Sequence, residues 1–311
     1  QVLSSDPTNP VLGQIWYNTT SNTLKAFGVG EGWATGGNMT TARGFLAGAG
    51  TQTSGLATGG EGPSVSNATE EYGGTSWTNG GNLGTARKNI AGAGTQTAGL
   101  AFAGTATTSN ATEEYDGSSW TAGGNLNTAR SRLGGAGTQT AGLAFGGSVG
   151  APSYTSQNAT EEYNGSSWTG GGNMGTARYS FAGLGTQTAG LAAGGRVQGG
   201  STTAITEEYD GSSWTAGGNL NNGRNTNAGA GTQTASIVFG GNVGDGDGAR
   251  TEQYNGTAWT TIQNMSTARG GLAGAGLQTS ALAFGGGPTG SAKVATEEFG
   301  PAALTLTISG S

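Results

Sequence analysis

The stretch TEEYDGSSWTAGGNLNTAR, Thr112–Arg130, is the unit from which most of the sequence is built. Edited copies begin near Thr69, Thr160, Thr206, Thr251 and Thr296. The tryptophan of this unit recurs every 43–48 residues, as Trp33, Trp77, Trp120, Trp168, Trp214 and Trp259. A repeat of this length is typical of a four-stranded propeller blade or of a HEAT-type helix pair.

Glycine decides between these two structures. It supplies 66 of 311 residues and is scattered through every repeat, where each interior copy would cost a helix about 1 kcal/mol. The repeat therefore predicts four short strands. In the second copy these are strand a at Lys88–Gly94, strand b at Ala98–Ala103, strand c at Asn110–Tyr115 and, after a hairpin turn, strand d at Ser118–Gly123.

The order of these residues resembles the Kelch repeat. In that family a double glycine ends strand b, a tyrosine lies on c, a tryptophan lies on d, and an arginine precedes the next a. Gly59–Gly60, Tyr72, Trp77 and Arg87 match this pattern. The resemblance implies an all-β, six-bladed Kelch-like β-propeller with four antiparallel strands per blade. It does not carry over the copper oxidase activity of some relatives, because their histidine ligands and crosslinking cysteine are absent.

The two ends of the repeat predict how the ring closes. Trp33 has no complete set of strands before it, and no tryptophan follows Phe299. We therefore expect Trp33 to supply strand d to the last blade, so that no sheet edge stays open. Either Thr296–Phe299 or Leu24–Phe27 could be its strand c, and the former is favoured because it keeps the glutamate. The predicted segments are residues 1–30 (hairpin), 31–300 (propeller) and 301–311 (tail or strand).

Composition removes several classes of function. The net charge of −6 and the three lysines argue against nucleic acid as the main partner. Without cysteine or histidine, thiolate catalysis, zinc–thiolate sites and histidine triads are excluded. No apolar run approaches the roughly 18 residues of a membrane span, so membrane insertion is not expected. No cofactor is expected either, and the start at Gln1 suggests a processed product or a fragment.

The two glutamates of each TEEY motif could be taken for a catalytic carboxylate pair. Neighbouring side chains on a strand face opposite ways, so Glu113 and Glu114 do not form one. The first glutamate instead matches the recurring arginine in number, and a buried carboxylate needs such a partner. The predicted structural ion pairs use Arg43, Arg87, Arg130, Arg178, Arg224 and Arg269 with Glu70, Glu113, Glu161, Glu207, Glu252 and Glu297.

The connection between strands b and c is where the copies differ most. In an up-and-down blade this loop shares a face with the d–a connection, so the variable loops collect on one rim. The candidate ligand-binding residues there are Tyr154, Arg196, Asp245 and Asp247, with Tyr154 stacking on a sugar ring. Two alternatives stay open, namely unconstrained drift of the loops and calcium binding by Asp245 and Asp247.

Residues 6–27 lie outside the repeat, and their form NP-x-x-GQIWYN-x-x-x-N-x-LK resembles segments of bacteriophage tail-fibre and other virion appendage proteins. Asn9–Pro10, Gly13–Asn18, Asn22 and Leu24–Lys25 carry it. The resemblance implies a non-enzymatic virion or extracellular protein that recognises a host-surface glycan or protein and contacts other virion proteins. The alternatives are a secreted bacterial adhesion or glycan-binding propeller and a glycan-active enzyme.

Overall fold

The computed structural model describes residues 1–8, 14–105, 109–150, 154–243, 246–287 and 293–308, with only the backbone for 27–29, 243, 246–247 and 302–308. The described chain is all-β, as expected, and consists of repeated four-strand antiparallel sheets that are consistent with a β-propeller. No helix in these ranges is long and apolar enough to cross a membrane.

The strands follow the repeat in chain order. The chain begins with β1 (Val2–Leu3), β2 (Ile15–Asn18) and β3 (Thr23–Thr35). The first sheet contains β4 (Ala47–Gly50), β5 (Gly55–Thr58), β6 (Thr69–Tyr72) and β7 (Trp77–Asn79). The second contains β8 (Ala91–Gly94), β9 (Gly99–Phe102), β10 (Thr112–Tyr115) and β11 (Trp120–Ala122). In both sheets the four strands are neighbours in sequence order.

The third and fourth sheets add short strand pairs to the same plan. The third has β12 (Gly134–Gly137), β13 (Gly142–Phe145), β16 (Thr160–Tyr163) and β17 (Trp168–Gly170), with β14 (Ser148–Val149) and β15 (Thr155–Ser156) paired in its b–c connection. The fourth has β19 (Ala182–Thr186), β20 (Ala189–Ala193), β22 (Thr206–Tyr209) and β23 (Trp214–Ala216), and β18 (Arg178–Tyr179) pairs with β21 (Arg196–Val197) beside it.

The last two sheets complete the set. The fifth has β24 (Ala228–Gly231), β25 (Ser236–Phe239), β28 (Thr251–Tyr254) and β29 (Trp259–Ile262), with β26 (Asn242–Val243) and β27 (Gly246–Asp247) paired between them. The sixth has β30 (Ala273–Leu277), β31 (Ser280–Phe284) and β32 (Thr296–Ile308). Its fourth strand is β3 from the start of the chain, so this sheet joins the first and last described segments.

The register of β3 against β32 distinguishes the two candidate neighbours of Trp33. Trp33 lies opposite Phe299, as expected for the Thr296–Phe299 alternative. Leu24–Phe27 belongs to the same strand as Trp33 and lies opposite residues 305–308, so it is not the neighbouring strand. The boundaries expected after residues 30 and 300 fall inside β3 and β32, which continue together as a ribbon with β2 paired to the other edge of β3.

Strand a is shorter than the sequence predicts, for a local reason. In the second sheet the expected strand a starts at Lys88, whereas β8 starts at Ala91. Lys88 instead forms a bridge with Thr105, and Asn89 has a positive φ of 53°. A residue in the left-handed region cannot continue an extended strand, so the chain bends at Asn89 before β8 begins.

The threonine and second glutamate of each TEEY motif bind aromatic residues of the following sheet. The indole N–H of Trp120 donates to the Thr69 hydroxyl over 2.9 Å, and the Tyr115 hydroxyl donates to Glu71 over 2.6 Å. The tryptophan bond occurs at all six junctions, including Trp33 to Thr251 and Trp77 to Thr296. The copied motif is therefore half of a sheet-to-sheet contact.

The glutamine of each GTQT turn makes a second contact between sheets. The Gln96 amide donates to the carbonyl groups of Gly55 and Tyr72 in the preceding sheet. Equivalent bonds run from each sheet to the one before it, and Gln52 of the first sheet bonds to Ala281 and Phe299 of the sixth. This glutamine therefore satisfies carbonyl groups at the end where strands a and b turn.

One junction departs from the pattern in a matched way. The sixth sheet has Phe299 where the others have tyrosine, so it offers no hydroxyl to the fifth sheet. At that junction the second glutamate is replaced by Gln253, whose amide donates to Glu31. Glu114 accepts the Tyr163 hydroxyl, whereas Gln253, at the junction where phenylalanine replaces tyrosine, donates instead.

The recurring arginines form the expected ion pairs within their own sheets. Arg130 is fully buried, donates from one nitrogen to the Gly146 and Ala159 carbonyl groups, and reaches Glu161 over 2.8 Å from the other. Glu161 also accepts the backbone N–H of Asn127. The pairs are Arg43–Glu70, Arg87–Glu113, Arg130–Glu161, Arg178–Glu207, Arg224–Glu252 and Arg269–Glu297.

We expect Arg130→Ala to lower the free energy of unfolding by about 3–5 kcal/mol, because it leaves the buried Glu161 carboxylate without its partner. Glu114→Gln is the matched control and should cost about 1 kcal/mol, since the amide oxygen can still accept the Tyr163 hydroxyl. Urea unfolding of both variants measures the difference. Equal losses would mean that the buried pair contributes nothing beyond an ordinary contact.

Five tyrosines predict a loss of stability at alkaline pH. Burial and then the glutamate hydrogen bond raise the pKa of Tyr72, Tyr115, Tyr163, Tyr209 and Tyr254 to about 12. In the unfolded chain the tyrosine hydroxyls ionise at about pH 10. The stabilisation is thus complete below about pH 10 and is lost as the pH rises toward 12.

Urea unfolding across this range measures the effect. Tyr209→Phe removes one titrating group and should make the fall with pH shallower. An unchanged slope in that variant would contradict the assignment of the effect to these tyrosines.

Candidate functional site

The segment after each buried arginine lies against the start of a b–c connection. In the second sheet Lys88 pairs with Thr105, and in the fourth Tyr179 pairs with Arg196. The same bridge occurs in all six sheets, through Gly44–Glu61, Ser131–Ser148, Asn225–Asn242 and Gly270–Gly287 in the other four. The d–a and b–c connections therefore share one face, which we call the variable face.

Six residues at the centre of this face form a hydrogen-bonded cycle. Each lies two positions after a buried arginine and donates its backbone N–H to the carbonyl group of the equivalent residue in the preceding sheet, over 2.6–2.9 Å. All six have positive φ, between 53° and 62°. They are Phe45, Asn89, Arg132, Ser180, Thr226 and Gly271, and we call them the ring residues.

The ring residues surround the mouth of an axial cavity of about 90 Å³. The residue after each of them also lines it; these are Leu46, Ile90, Leu133, Phe181, Asn227 and Leu272. A second cavity of about 100 Å³ continues inward, lined by alanines and glycines of the six innermost strands. The mouth therefore combines varied, partly polar ring residues with the mostly apolar residues that follow them in the chain.

Sequence reasoning missed the ring residues, although a signal was present. The position two after the arginine is different in every copy, as Phe, Asn, Arg, Ser, Thr and Gly, and the positions on either side of it also vary, whereas the arginine is kept in all six copies. Five of these six are not glycine yet adopt the left-handed conformation, which strains an L residue. Strain held at varied positions is typical of functional sites.

Two of the predicted ligand-binding residues lie near each other on the variable face. The Tyr154 ring lies under the guanidinium of the ring residue Arg132, at 3.9 Å from its centroid, and 6.3 Å from the Tyr179 ring. Arg196 pairs with Tyr179 in β21 and β18. Tyr179 thus lies between the two predicted residues and connects them to the ring.

The two predicted aspartates are not placed in this way. Asp245 lies outside the described residues, as does the side chain of Asp247, whose backbone pairs with Asn242 in β27. Within the described ranges no group of three or more potential metal ligands occurs. The calcium alternative therefore stays a hypothesis about residues 244–248.

Basic residues are distributed unevenly in this acidic chain. Six of the twelve are the buried arginines, and Lys25 forms an ion pair with Asp6 near the ribbon. The remaining five all belong to d–a or b–c connections; they are Lys88, Arg132, Arg196, Arg250 and Lys293. Lys88 bonds to Glu61 over 2.7 Å. The variable face thus collects the cations that the framework does not use.

The backbone strain at the ring position can be tested through its effect on stability. Ser180 has a φ of 57° and, within the described chain, no side-chain hydrogen bond, while Gly271 occupies the same position without strain. Ser180→Gly should raise the free energy of unfolding by about 0.5–1 kcal/mol, because relief of left-handed strain exceeds the entropy that glycine adds to the unfolded chain. Ser180→Val should lower it, and urea unfolding that gives the same sign for both would contradict the strain.

Comparison with solved structures supports the fold. No family model matches the chain, and no curated protein matches it in sequence. Among solved structures, the one described as "Structure of YjhT", a Kelch-like propeller, superimposes with a TM-score of 0.72 at 13% identity. The match covers 85% of this chain and 96% of that one. At this identity the likeness shows the fold alone, an all-β structure consistent with a β-propeller.

Proposed function

We propose that the six sheets are the blades of a closed, six-bladed Kelch-like propeller. The tryptophan and glutamine bonds that link each sheet to the one before it, and the first to the sixth, support this arrangement. The hydrogen-bonded cycle of ring residues supports it as well. In this arrangement β3 is the strand that closes the last blade, and the ring residues surround the propeller axis.

We infer that the propeller is a recognition module and not an enzyme. The observation that carries this inference is that the copied residues bind one another in the framework, whereas the varied residues lie together on one face. The copied glutamates are engaged by arginine and tyrosine, so they are not free to act on a substrate. The residues that differ between copies meet on one face around a cavity, which is the usual arrangement of a binding surface on a rigid scaffold.

The ribbon and the variable face lie at opposite ends of this module. In the first five sheets strands c and d are joined by a tight turn at the end opposite the variable face. In the sixth, β32 and β3 continue past that point to Ile308 and Leu24. The ribbon therefore leaves from the pole opposite the variable face, and residues 15–18, which belong to the phage-like segment, form its third strand β2.

We propose that the protein is a virion appendage or tail-fibre-type module. The ribbon would face other virion proteins, and the variable face would contact a glycan on the host surface. Aromatic and polar side chains together suit a sugar, because a ring stacks on its apolar face while polar groups bind its hydroxyls. Phe45, which is 40% exposed, Tyr154 and Arg196 would provide such contacts. The alternative is a secreted adhesion propeller that uses the same face.

Attachment to host cells tests the recognition role. The double variant Tyr154→Ala and Arg196→Ala should reduce binding of the labelled protein to susceptible cells about tenfold or more, as expected for loss of two central contacts. Leu277→Ala is the control, because Leu277 is exposed at the end of β30, next to the a–b turn on the opposite face. If both proteins attach like the original, the variable face is not the recognition surface.

The location of the protein separates the two proposals for its setting. Mass spectrometry of purified virions should detect the chain if it is an appendage, whereas a secreted adhesin should occur only in the bacterial culture fluid. Incubation with host glycans, followed by analysis of their length, should find no shortening. A shortened or modified glycan would contradict the non-enzymatic role.

A further inference from the structure

Arg132 differs from the six buried arginines in the groups that contact its side chain. The six buried arginines each pair with a glutamate, whereas Arg132 has no carboxylate or carbonyl acceptor within the described ranges. Its guanidinium lies over the Tyr154 ring, 3.9 Å from the ring centroid, and the Tyr179 ring lies to one side with its centroid at 5.8 Å. It also lines the mouth of the axial cavity. Among the described residues, Arg132 is thus a cation without a carboxylate partner at the centre of the variable face.

The two tyrosines restrict how this cation can be used. A ring against the face of a guanidinium covers that face and leaves the N–H groups at the edge of its plane free to donate. The positive φ of 58° at Arg132 fixes the direction in which the side chain leaves the backbone. A planar, pre-oriented fork of this kind matches a carboxylate, which it binds through two parallel hydrogen bonds.

The surroundings of Arg132 suit the rest of a sugar. Its neighbours in the cycle are Asn89 and Ser180, whose polar side chains are half-buried at the same mouth. Phe45 borders the same cavity and is exposed enough to stack on a pyranose ring. A volume of about 90 Å³ is smaller than a disaccharide needs. The mouth therefore fits part of one sugar residue, at the end of a chain or as a branch.

We propose that the axial mouth is a subsite for a carboxylated sugar of the uronic-acid class, whose carboxylate is held by Arg132. This inference rests on the proposed glycan-recognition function and specifies its ligand. Arg196, Arg250 and Lys293 add further positive charge to the same face, where Lys88 is already paired with Glu61, although the chain as a whole is acidic. An anionic glycan is therefore attracted to this face and repelled by the rest of the surface.

Calorimetric and NMR titration with single sugars tests the subsite without host cells. The probes are methyl glucuronide and methyl galacturonide, each compared with the neutral methyl glucoside or galactoside. The protein should bind at least one acid about tenfold more tightly than its neutral counterpart, as one charged bidentate contact provides. This preference should weaken as salt is added, because the attraction is screened.

Substitutions assign the preference to Arg132. Arg132→Gln should abolish it, and Arg132→Lys should keep only part of it, because the ammonium lacks the fork. Lys25→Gln removes the same charge near the ribbon and should leave the preference unchanged. Thermal unfolding of each variant shows whether the fold is retained, and Arg132→Lys keeps the test valid if Arg132→Gln does not fold.

Either of two results with the sugars would overturn the subsite: equal affinity for acid and neutral sugars, or an intact preference in Arg132→Gln. Tighter binding of a glutamate-rich peptide than of any acid sugar would also overturn it. The proposed function is judged separately, by host-cell attachment of the Tyr154 and Arg196 variant. Attachment that depends on those residues without an acid-sugar preference would therefore reject the subsite alone.

Discussion

The buried arginine of each repeat is the contact on which both the framework and the variable face depend. The Arg87 side chain binds Glu113 and two carbonyl groups of its own sheet, and its backbone carbonyl accepts the Gly60 N–H of the preceding sheet. One residue thus fixes its own sheet and its neighbour. Two positions later the chain reaches the ring residue Asn89, so the position of the rim follows from the burial of the arginine.

Burying six guanidinium groups is costly, and the copies of TEEY offset that cost. Burial lowers the pKa of each arginine, while the facing glutamate opposes this shift. Because an unpaired buried charge is strongly unfavourable, neither partner can change alone. The exchange of tyrosine for Phe299 together with glutamate for Gln253 shows the same constraint at a weaker bond. The sequence is thus repetitive because the same contacts recur within the sheets and between neighbouring sheets.

The sequence predicted those parts of the structure in which the same contacts recur from sheet to sheet. The period of the tryptophans gave the sheets, and equal numbers of arginines and first glutamates gave the ion pairs. The pairing of the Trp33 strand with residues 296–299 was predicted because the last repeat has no tryptophan strand of its own. The cycle that includes Arg132 and Ser180 was not predicted in this way, because it depends on a left-handed backbone that phenylalanine, arginine, serine and threonine rarely adopt. Nor could the stacking of Tyr154 on Arg132, since it joins loops that pattern alone does not orient.

The closed framework is the central claim, and β3 is where it can be opened. Removal of residues 1–35 deletes the whole strand with Trp33, whereas removal of residues 1–22 spares it. Differential scanning calorimetry with light scattering compares the two. The longer deletion should lower Tm by about 10 °C or more, from loss of a packed tryptophan and its strand, and should cause association through the exposed edge of β32. The shorter one removes β1 and β2 but keeps the sixth sheet complete, so its Tm should stay clearly above that of the longer deletion. If the longer deletion stays monomeric with an unchanged Tm, the ring does not depend on β3 and the account is wrong.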